Sequence, residues 1–370
     1  MNRNGLMSFL SSVVVLILGL LVGFIVLLIS DAPNAPTALF TMLTHGFSNM
    51  RIIGNVLLMA TPIILTGLSV AFAFKTGLFN IGGTGQFTLG AFVAVYIGLE
   101  FNFLPPALRI LTAVLAATVA GALWGAIPGL LKALCNVHEV ISCIMTNYIS
   151  MFLVTFLVHR FTFDPFTGRS YRPPSESRLP SLGMENIFVS GRASAVDVGI
   201  FIAIGVAILI YIILEKTTFG YELKACGFNR DAAKYAGVNE NRNIVFAMMI
   251  SGGLAGLAGA MAYIGGSGLT LDIVHTLLPE GFTGISVAFL GMNHPIGVIF
   301  AGLLISFLTI GGNQIQTVAG FAIEFVQIVI AIIIYFCAFV FLVRHFMGDT
   351  FNKLFSKIFK KSDAEEGSAT

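Results

Sequence analysis

The stretch from Thr76 to Leu99 carries no charged residue, and its middle, from Phe79 to Gly90, reads Phe-Asn-Ile-Gly-Gly-Thr-Gly-Gln-Phe-Thr-Leu-Gly. Its glycines and its two amides, Asn80 and Gln86, therefore lie at membrane depth if the chain crosses a bilayer. Irregular backbone is tolerated there only when it is buried in protein or lines an aqueous cavity. We interpret the segment as an interrupted helix on a transport path. A glycine-rich helix crossing with two hydrogen-bonded amides stays open as the alternative.

The composition indicates a membrane protein along the whole chain. Only 10% of the residues are charged and 56% are hydrophobic, which is typical of polytopic membrane proteins rather than of soluble domains. We predict an all-α fold, a polytopic transmembrane helical bundle of about ten spans with interrupted helices and both termini in the cytosol. The predicted spans are Leu10–Ile29, Ile53–Phe74, Ile81–Leu99, Leu108–Leu131, Val140–Val158, Val196–Leu214, Ile244–Ile264, Phe282–Met292, Ile296–Ile310 and Phe321–Val343.

The basic residues support an even number of spans. With that topology most of them, including every lysine, lie on the cytosolic side, as the positive-inside rule requires, and the outer connections carry only arginine. Residues 1–345 then form the transmembrane domain, with an extracytoplasmic loop at 159–195 and a cytosolic loop at 215–243. Residues 346–370 form a cytosolic tail, predicted to begin as an amphipathic helix on anionic lipid and to end in disorder.

A second interrupted apolar stretch runs from Leu277 to Gly297 and contains several Pro and Gly residues. Paired interruptions in the two halves of a chain are typical of transporters with a solute site at the midplane. No alignable repeat is present, so the pairing is a hypothesis. The side chains that we predict to line the path are Asn80, Thr84, Gln86, Asn147 and Asn293. The residues that we predict to break helices are Gly82, Gly83, Gly85 and Pro295.

Other residues recur at helical spacing. Glu139, Cys143 and Asn147 share one helix face, and Asn147 lies deep enough either to reach the path or to bond a neighbouring helix. Faces of small residues let helices approach closely, and we assign them to packing without any chemistry. These faces consist of Gly121, Gly125 and Gly129 and of Gly252, Gly256, Gly259 and Ala260.

The cytosolic loop contains a short helix with a strip of small residues. Between Glu222 and Gly237, positions 232, 233, 236 and 237 carry alanine or glycine, and Arg230, Asp231 and Lys234 flank them. Such a strip fits a groove on another protein. An ordinary amphipathic connector is the alternative.

Together these segments resemble the membrane permeases of ATP-binding cassette (ABC) importers, in the branch that serves branched-chain amino acids, ribose-type sugars and nucleosides. The resemblance covers most of residues 53–340 and is closest to the nucleoside-uptake subgroup. It rests on Ala71–Gln86, His138–Tyr148 and Val287–Pro295, and residues 225–237 resemble the coupling helix that contacts the ATPase. The coupling residues implied by the resemblance are Asn229, Asp231, Ala232, Ala233 and Gly237.

The resemblance implies a transport subunit in the bacterial cell membrane, with no catalytic site, no metal and no cofactor of its own. Separate ATPase subunits would bind ATP, an extracytoplasmic binding protein would deliver solute, and a second permease subunit, related or identical, would complete the path. Lipid is expected as a partner and nucleic acid is not. The sequence agrees on one point, because it contains no Walker-type phosphate loop. The subgroup has a glutamate where Thr84 stands, so the role of that acid does not carry over, and the Thr84 hydroxyl is expected to meet a paired subunit or solute.

Other classes of function fit less well. An ion-coupled secondary transporter requires acids at mid-membrane, and Glu324 with Gln327 is the only polar pair near the start of the last span. The histidines and cysteines show no cluster or spacing that predicts an intramembrane enzyme or a metal site. We therefore expect an importer permease for a small neutral solute. A nucleoside fits best, and ribose-type sugars and branched-chain amino acids are the alternatives.

Overall fold

The computed structural model describes residues 3–273, 275–337, 339–343 and 345, and within them nearly all regular structure is helical. Two small antiparallel hairpins pair β1 (Phe163–Asp164) with β2 (Arg169–Ser170) and β3 (Val189–Ser190) with β4 (Arg192–Ala193). The predicted all-α class is confirmed. The helices are α1 (Arg3–Ser30), α2 (Ala35–Thr44), α3 (Met50–Lys75), α4 (Gly83–Glu100), α5 (Pro106–Cys135), α6 (Glu139–Leu157), α7 (Met184–Ile187), α8 (Gly199–Lys216), α9 (Thr218–Phe228), α10 (Arg230–Tyr235), α11 (Glu240–Tyr263), α12 (Glu280–Leu290), α13 (Pro295–Ala319) and α14 (Ile323–Cys337).

The bundle has two chemically distinct ends. Helices α3 and α5 begin close to Arg51 and Arg109 and end at or near Lys75 and Lys132, and α8 ends at Lys216. We name these ends the arginine end and the lysine end. The positive-inside rule assigns the lysine end to the cytosol.

The number of spans differs from the prediction. In the described ranges, seven helices are long and apolar enough to cross a membrane, so the predicted count of about ten is not confirmed. The predicted span Ile81–Leu99 is the 18-residue α4, and Phe282–Met292 corresponds to α12, which has 11 residues and is therefore only about 16 Å long. The predicted last span contains α14. The tail at 346–370, predicted as partly amphipathic, lies outside the described residues.

The centre of the bundle is formed by α3 and α11, which are buried along most of their length. Helix α5 crosses α11 with backbone against backbone. A Cβ atom at Gly121 would overlap the carbonyl oxygen of Gly252, and one at Gly256 would lie 2.9 Å from the Gly121 Cα atom. The two predicted glycine faces are therefore confirmed as packing surfaces.

The polar loop at 159–195 is fixed to the arginine end. Arg109 is buried and donates to the Ser177 hydroxyl at 2.9 Å, and Ser177 donates to the Gly98 carbonyl at 2.7 Å. Asp197, just before α8, accepts from two backbone amides at 2.7 and 2.6 Å. Burial nevertheless raises the pKa of the Asp197 carboxyl. These bonds pair buried polar groups where the loop meets the helices.

Candidate functional site

The irregular backbone between α3 and α4 is shorter than the sequence suggests. It covers the residues from Thr76 to Gly82, and α4 begins at Gly83. Gly83 and Gly85, predicted to break the helix, instead lie in its first turn. The reason is packing, because a Cβ atom at Gly85 would lie 2.9 Å from the Asn147 side-chain oxygen.

Helix α12 begins at the depth where α4 begins. A Cβ atom at Gly281 would lie 2.5 Å from the backbone nitrogen of Thr84, and one at Gly284 would lie 2.7 Å from the backbone of Thr66. Thr66 belongs to the middle of α3, so the N-termini of α4 and α12 meet inside the bundle, far from both ends. Two broken helices thus converge near mid-depth, in the way that half-helices frame solute sites in transporters.

The second half of the predicted interruption is a turn at the other end of α12. Met292 and Asn293 adopt positive φ angles of 57° and 52°, and Pro295 is the first residue of α13. Pro295 therefore marks a helix start, where its missing N–H costs nothing. The His294 ring packs 5.7 Å from Tyr211 of α8. This turn lies at the lysine end, about one α12 length away from Thr84.

Four buried side chains form what we call the amide–serine cluster: Asn80, Gln86, Ser69 and Ser251, each no more than 1% exposed. The Asn80 nitrogen donates to the Gln86 oxygen at 2.8 Å and to the Ser251 hydroxyl at 2.7 Å. Ser69 and Ser251 each donate to the other's carbonyl at 2.7 Å. In this conformation Asn80 and Gln86 are hydrogen-bonded amides at a helix crossing, which is the alternative given in the sequence analysis. Their contact with solute stays a prediction.

Asn147 ties α6 to the start of α4. Its oxygen accepts from the Gly85 amide at 2.9 Å, and its nitrogen donates to the Ile81 carbonyl at 3.0 Å. Ser150, one turn further along α6, donates to the Gly85 carbonyl at 2.7 Å. The Gly85 amide is one of the backbone donors that a helix start leaves without an intrahelical partner. Asn147 thus bonds a neighbouring helix and lies next to the amide–serine cluster.

Thr84 and Asn293, the other predicted path residues, are buried and differ in position. The Thr84 hydroxyl oxygen and the Asn293 side-chain oxygen have no hydrogen-bond partner among the described residues. Thr84 lies where α4 meets α12, whereas Asn293 lies in the turn at the lysine end. The structure brings Asn80, Thr84, Gln86 and Asn147 together and leaves Asn293 apart.

Sequence reasoning missed Glu280. It occupies the first position of α12, is half-buried, and has one carboxyl oxygen that is shielded from solvent without a hydrogen-bond partner among the described residues. The available signal was Pro-Glu-Gly directly before an apolar run, an arrangement that favours an acid at a helix N-terminus. We call Thr84, Glu280 and Gly281 the helix-start junction.

The loop at the lysine end consists of two helices, α9 and α10, that meet at Asn229. The Asn229 side chain caps α10 by accepting from the Ala232 amide at 3.0 Å, and Gly237 closes the helix with a φ angle of 84°. Ala233 is only 4% exposed, so the predicted strip of small residues is not a continuous surface. The exposed surface instead carries two aromatic side chains, Phe228 (92% exposed) and Tyr235 (93%).

Two open cavities lie at the arginine end. One, of about 570 Å³, is lined by residues that include Glu176, Arg178 and Glu185, and the other, of about 300 Å³, includes Arg51 and Asn313. Neither cavity is lined by the helix-start junction. Within the described ranges, no group of histidine, cysteine or acidic side chains is arranged to hold a metal ion.

A family model described as the permease component of branched-chain amino acid transport systems matches residues 52–338. The chain belongs to this permease family. The match includes nearly all of α3 and every helix from α4 to α14, and with them both helix starts and the α9–α10 loop. The protein is therefore a multi-pass membrane permease of the ABC transporter class.

Relatives of the permease cover nearly its whole length. A guanosine ABC transporter permease of Bacillus subtilis, NupP, is 39% identical over 90% of this chain and 94% of its own. A nucleoside ABC transporter permease of Lactococcus lactis, NupB, is 35% identical over 92% of this chain and 94% of its own. A glucose ABC transporter permease of Haloferax volcanii, TsgB13, is 32% identical over 76% and 74%. No solved structure matches the permease.

Proposed function

We propose that this permease is a membrane subunit of an ABC importer that carries nucleosides into the cell. The observation that carries the proposal is the similarity to the guanosine and nucleoside permeases over nine-tenths of the chain. The polar groups near mid-depth argue against an anionic solute, because no lysine or arginine lies in the amide–serine cluster or the helix-start junction to attract one.

The meeting of α4 and α12 supports a transport path near this point. Half-helices that end inside a membrane are characteristic of alternating-access carriers, because they expose free backbone groups where the solute passes. The first turns of both helices contact each other through Gly281 and Thr84. A shift of α12 away from Thr84 would open this contact, and a return would close it.

We propose that energy enters at the lysine end through partner ATPase subunits. ATP would bind to these partners, since the chain lacks a phosphate-binding loop of its own. Phe228 and Tyr235 are exposed aromatic side chains on the α9–α10 loop, of the kind that fill pockets at protein interfaces. A second permease subunit and an extracytoplasmic binding protein at the arginine end complete the proposed assembly.

A sugar is the second candidate solute. It is favoured by the 32% identity to the glucose permease, although this match covers less of the chain than the two nucleoside-type matches. A sugar and a nucleoside share hydroxyl groups, so the polar groups near mid-depth do not separate them. Branched-chain amino acids are supported only by the description of the family.

The test is uptake into proteoliposomes that contain the permease assembled with its ATPase and partner permease. Labelled guanosine, ribose, glucose and leucine would be offered with the binding protein, with and without ATP inside. We expect nucleoside uptake that requires internal ATP and survives an ionophore. Uptake of a sugar or leucine alone would refute the proposed solute, and uptake that the ionophore abolishes would refute the ATP-driven mechanism.

A further inference from the structure

Two buried oxygen atoms without partners lie on the two sides of the contact between α4 and α12. The Thr84 side chain is 0% exposed and its hydroxyl oxygen has no hydrogen-bond partner among the described residues. One Glu280 carboxyl oxygen is also shielded from solvent and has no hydrogen-bond partner among the described residues. Gly281 joins them, because a Cβ atom there would lie 2.5 Å from the Thr84 Cα atom. Buried polar groups are normally paired, so two unpaired oxygens on the two sides of one contact call for an explanation.

The surroundings of Glu280 differ from those of a structural acid. Asp197 in the same protein accepts from two backbone amides at 2.7 and 2.6 Å, and Glu139 pairs with Lys132 at 3.0 Å. Glu280 takes part in none of the salt bridges among the described residues. It lies in the first turn of α12, where the positive end of the helix dipole offsets part of the cost of burying an acid.

We propose that Thr84 and Glu280 form a solute-contact site for two adjacent hydrogen-bond donors on an uncharged solute. A carboxylate accepts from two donors at once, and a hydroxyl both donates and accepts. In a nucleoside, such adjacent donors are the 2′ and 3′ hydroxyls of the ribose or the N–H groups on the edge of a purine base. A carboxylate on a ribose hydroxyl is an arrangement that nucleotide-binding proteins also use. The inference rests on the proposed nucleoside transport and adds the residues that contact the solute.

The contact between Gly281 and Thr84 makes this site closed in the present conformation. Solute reaches it when α12 moves away from α4, and the return of α12 places the Glu280 carboxyl and the Thr84 hydroxyl against the solute. The amide–serine cluster beside the site is already paired and keeps its bonds during this step. Transport thus moves α12 without breaking the hydrogen bonds that hold α3, α4 and α11 together.

The experiment compares Glu280→Gln and Thr84→Val with wild type in the assembled importer. Each labelled solute is supplied already bound to saturating binding protein, so the preference of that protein does not limit the rate. The solutes are guanosine, 2′,3′-dideoxyguanosine, which lacks the adjacent 2′ and 3′ hydroxyls of the ribose, and purine riboside, whose base carries no N–H donor. Glu100→Gln, at the exposed far end of α4, is the matched control. Basal ATPase activity and recovery of the complex report folding.

We expect Glu280→Gln and Thr84→Val each to slow guanosine uptake by roughly tenfold, because one charge-assisted or buried hydrogen bond is lost. Thr84→Ser should restore uptake because it keeps the hydroxyl. If dideoxyguanosine uptake is insensitive to the variants, the site holds the ribose hydroxyls. If purine riboside uptake is insensitive, it holds the base edge.

Equal slowing of all three solutes, or no slowing of any, would overturn the proposed contact site. A wild-type importer that moves none of the nucleosides would instead refute the proposed function, so the two failures are distinguishable. A variant that fails to assemble is replaced by Thr84→Ser and Glu280→Asp. For that pair the proposal requires near wild-type uptake with serine and slowed guanosine uptake with the shorter acid, and it fails if the shorter acid has no selective effect.

Discussion

The Asn80 side-chain nitrogen donates to the Ser251 hydroxyl at 2.7 Å, and this bond joins the irregular segment before α4 to the middle of α11. Ser251 in turn donates to the Ser69 carbonyl in α3. Three elements are therefore held together near mid-depth by paired polar groups, while the Thr84 hydroxyl and one Glu280 carboxyl oxygen have no hydrogen-bond partner in the part of the chain that the structure describes. These polar residues of the interior thus divide into a paired part that holds helices together and a part to which we assign solute contact.

Replacing Ser251 by alanine should destabilise the permease. The Asn80 nitrogen would keep Gln86 and lose its second acceptor, and Ser69 would lose a donor to its carbonyl. We expect a loss of about 1 kcal/mol, because hydrogen bonds between membrane helices have measured values near this size. Thermal unfolding in detergent measures it. Thr309→Val is the control, since the Thr309 hydroxyl bonds only within its own helix, to Ile305. Equal stability of both variants would contradict the role of the cluster.

Gly256→Ala should be more damaging than Gly253→Ala, although the two residues lie one turn apart on α11. A Cβ atom at position 256 would overlap the Ala117 carbonyl and lie 2.9 Å from the Gly121 Cα atom, whereas one at 253 would meet nothing closer than 3.4 Å. We expect a loss of about 1–3 kcal/mol for the first and little change for the second. Unfolding of the two purified variants under one denaturant series tests the difference, and an equal loss would contradict close packing as the cause.

The sequence predicts much of the helix packing in this protein, because long apolar runs indicate membrane helices and glycines at four-residue spacing indicate close helix contacts. Helices α3, α5 and α11 follow from their length, and the glycine faces on α5 and α11 follow from spacing. The sequence predicts a span at the half-helix α12 because the surrounding residues carry no charge to mark a boundary. Its true start is set by contact with Thr84 and Thr66, which are distant in sequence.

The candidate site was predicted only in part, for a related reason. A single sequence does not distinguish a glycine that breaks a helix from a glycine that lets a neighbouring helix approach closely. Gly83 and Gly85 are therefore predicted to break the helix, although they lie in the first turn of α4. The neighbour of Gly85 is Asn147, on another helix. Pro-Glu-Gly favours a helix start at Glu280 but does not show that this start lies inside the bundle. The place of Glu280 beside Thr84 follows from the depth at which α12 begins, which no local pattern reveals.

Gly237→Ala should weaken the coupling of ATP hydrolysis to uptake, and Gly237→Asn should weaken it less. The turn needs a φ angle of 84°, and in that turn the Val238 amide bonds the Ala233 carbonyl at 3.0 Å. Alanine disfavours this region by about 1–2 kcal/mol, and asparagine tolerates it. The measurement is the ratio of solute taken up to ATP hydrolysed. Because a Cβ atom at 237 meets nothing within 4 Å, a steric clash within the permease would not explain the loss of coupling. A loss with asparagine as large as with alanine would point to contact with the ATPase instead.

The exposed aromatic pair on the α9–α10 loop should contribute to ATPase binding. Phe228→Ala and Tyr235→Ala each remove a side chain that is more than 90% exposed, so neither should change the stability of the permease. Each should weaken binding of the ATPase subunit by roughly tenfold if it fills a pocket in that partner. Tyr171→Ala, in the loop at the arginine end, is the control. Co-purification at graded ATPase concentration gives the affinities, and unchanged affinity in both variants would remove this surface from the interface.

Gly281→Ala should impair transport while Gly83→Ala leaves it close to normal, although both residues lie where α4 meets α12. A Cβ atom at 281 would lie 2.5 Å from both the nitrogen and the Cα atom of Thr84. These are backbone atoms, which cannot avoid the overlap by a change of side-chain rotamer. The same atom at 83 would meet only the Gly281 carbonyl oxygen at 3.9 Å. Alanine at 281 must therefore hold α12 away from α4, at a cost of about 1–3 kcal/mol in the closed form. We expect uptake to fall by about tenfold or more in Gly281→Ala, with ATPase activity retained because the lysine-end loop is unchanged. Normal uptake in that variant would show that α12 need not close on Thr84 during transport.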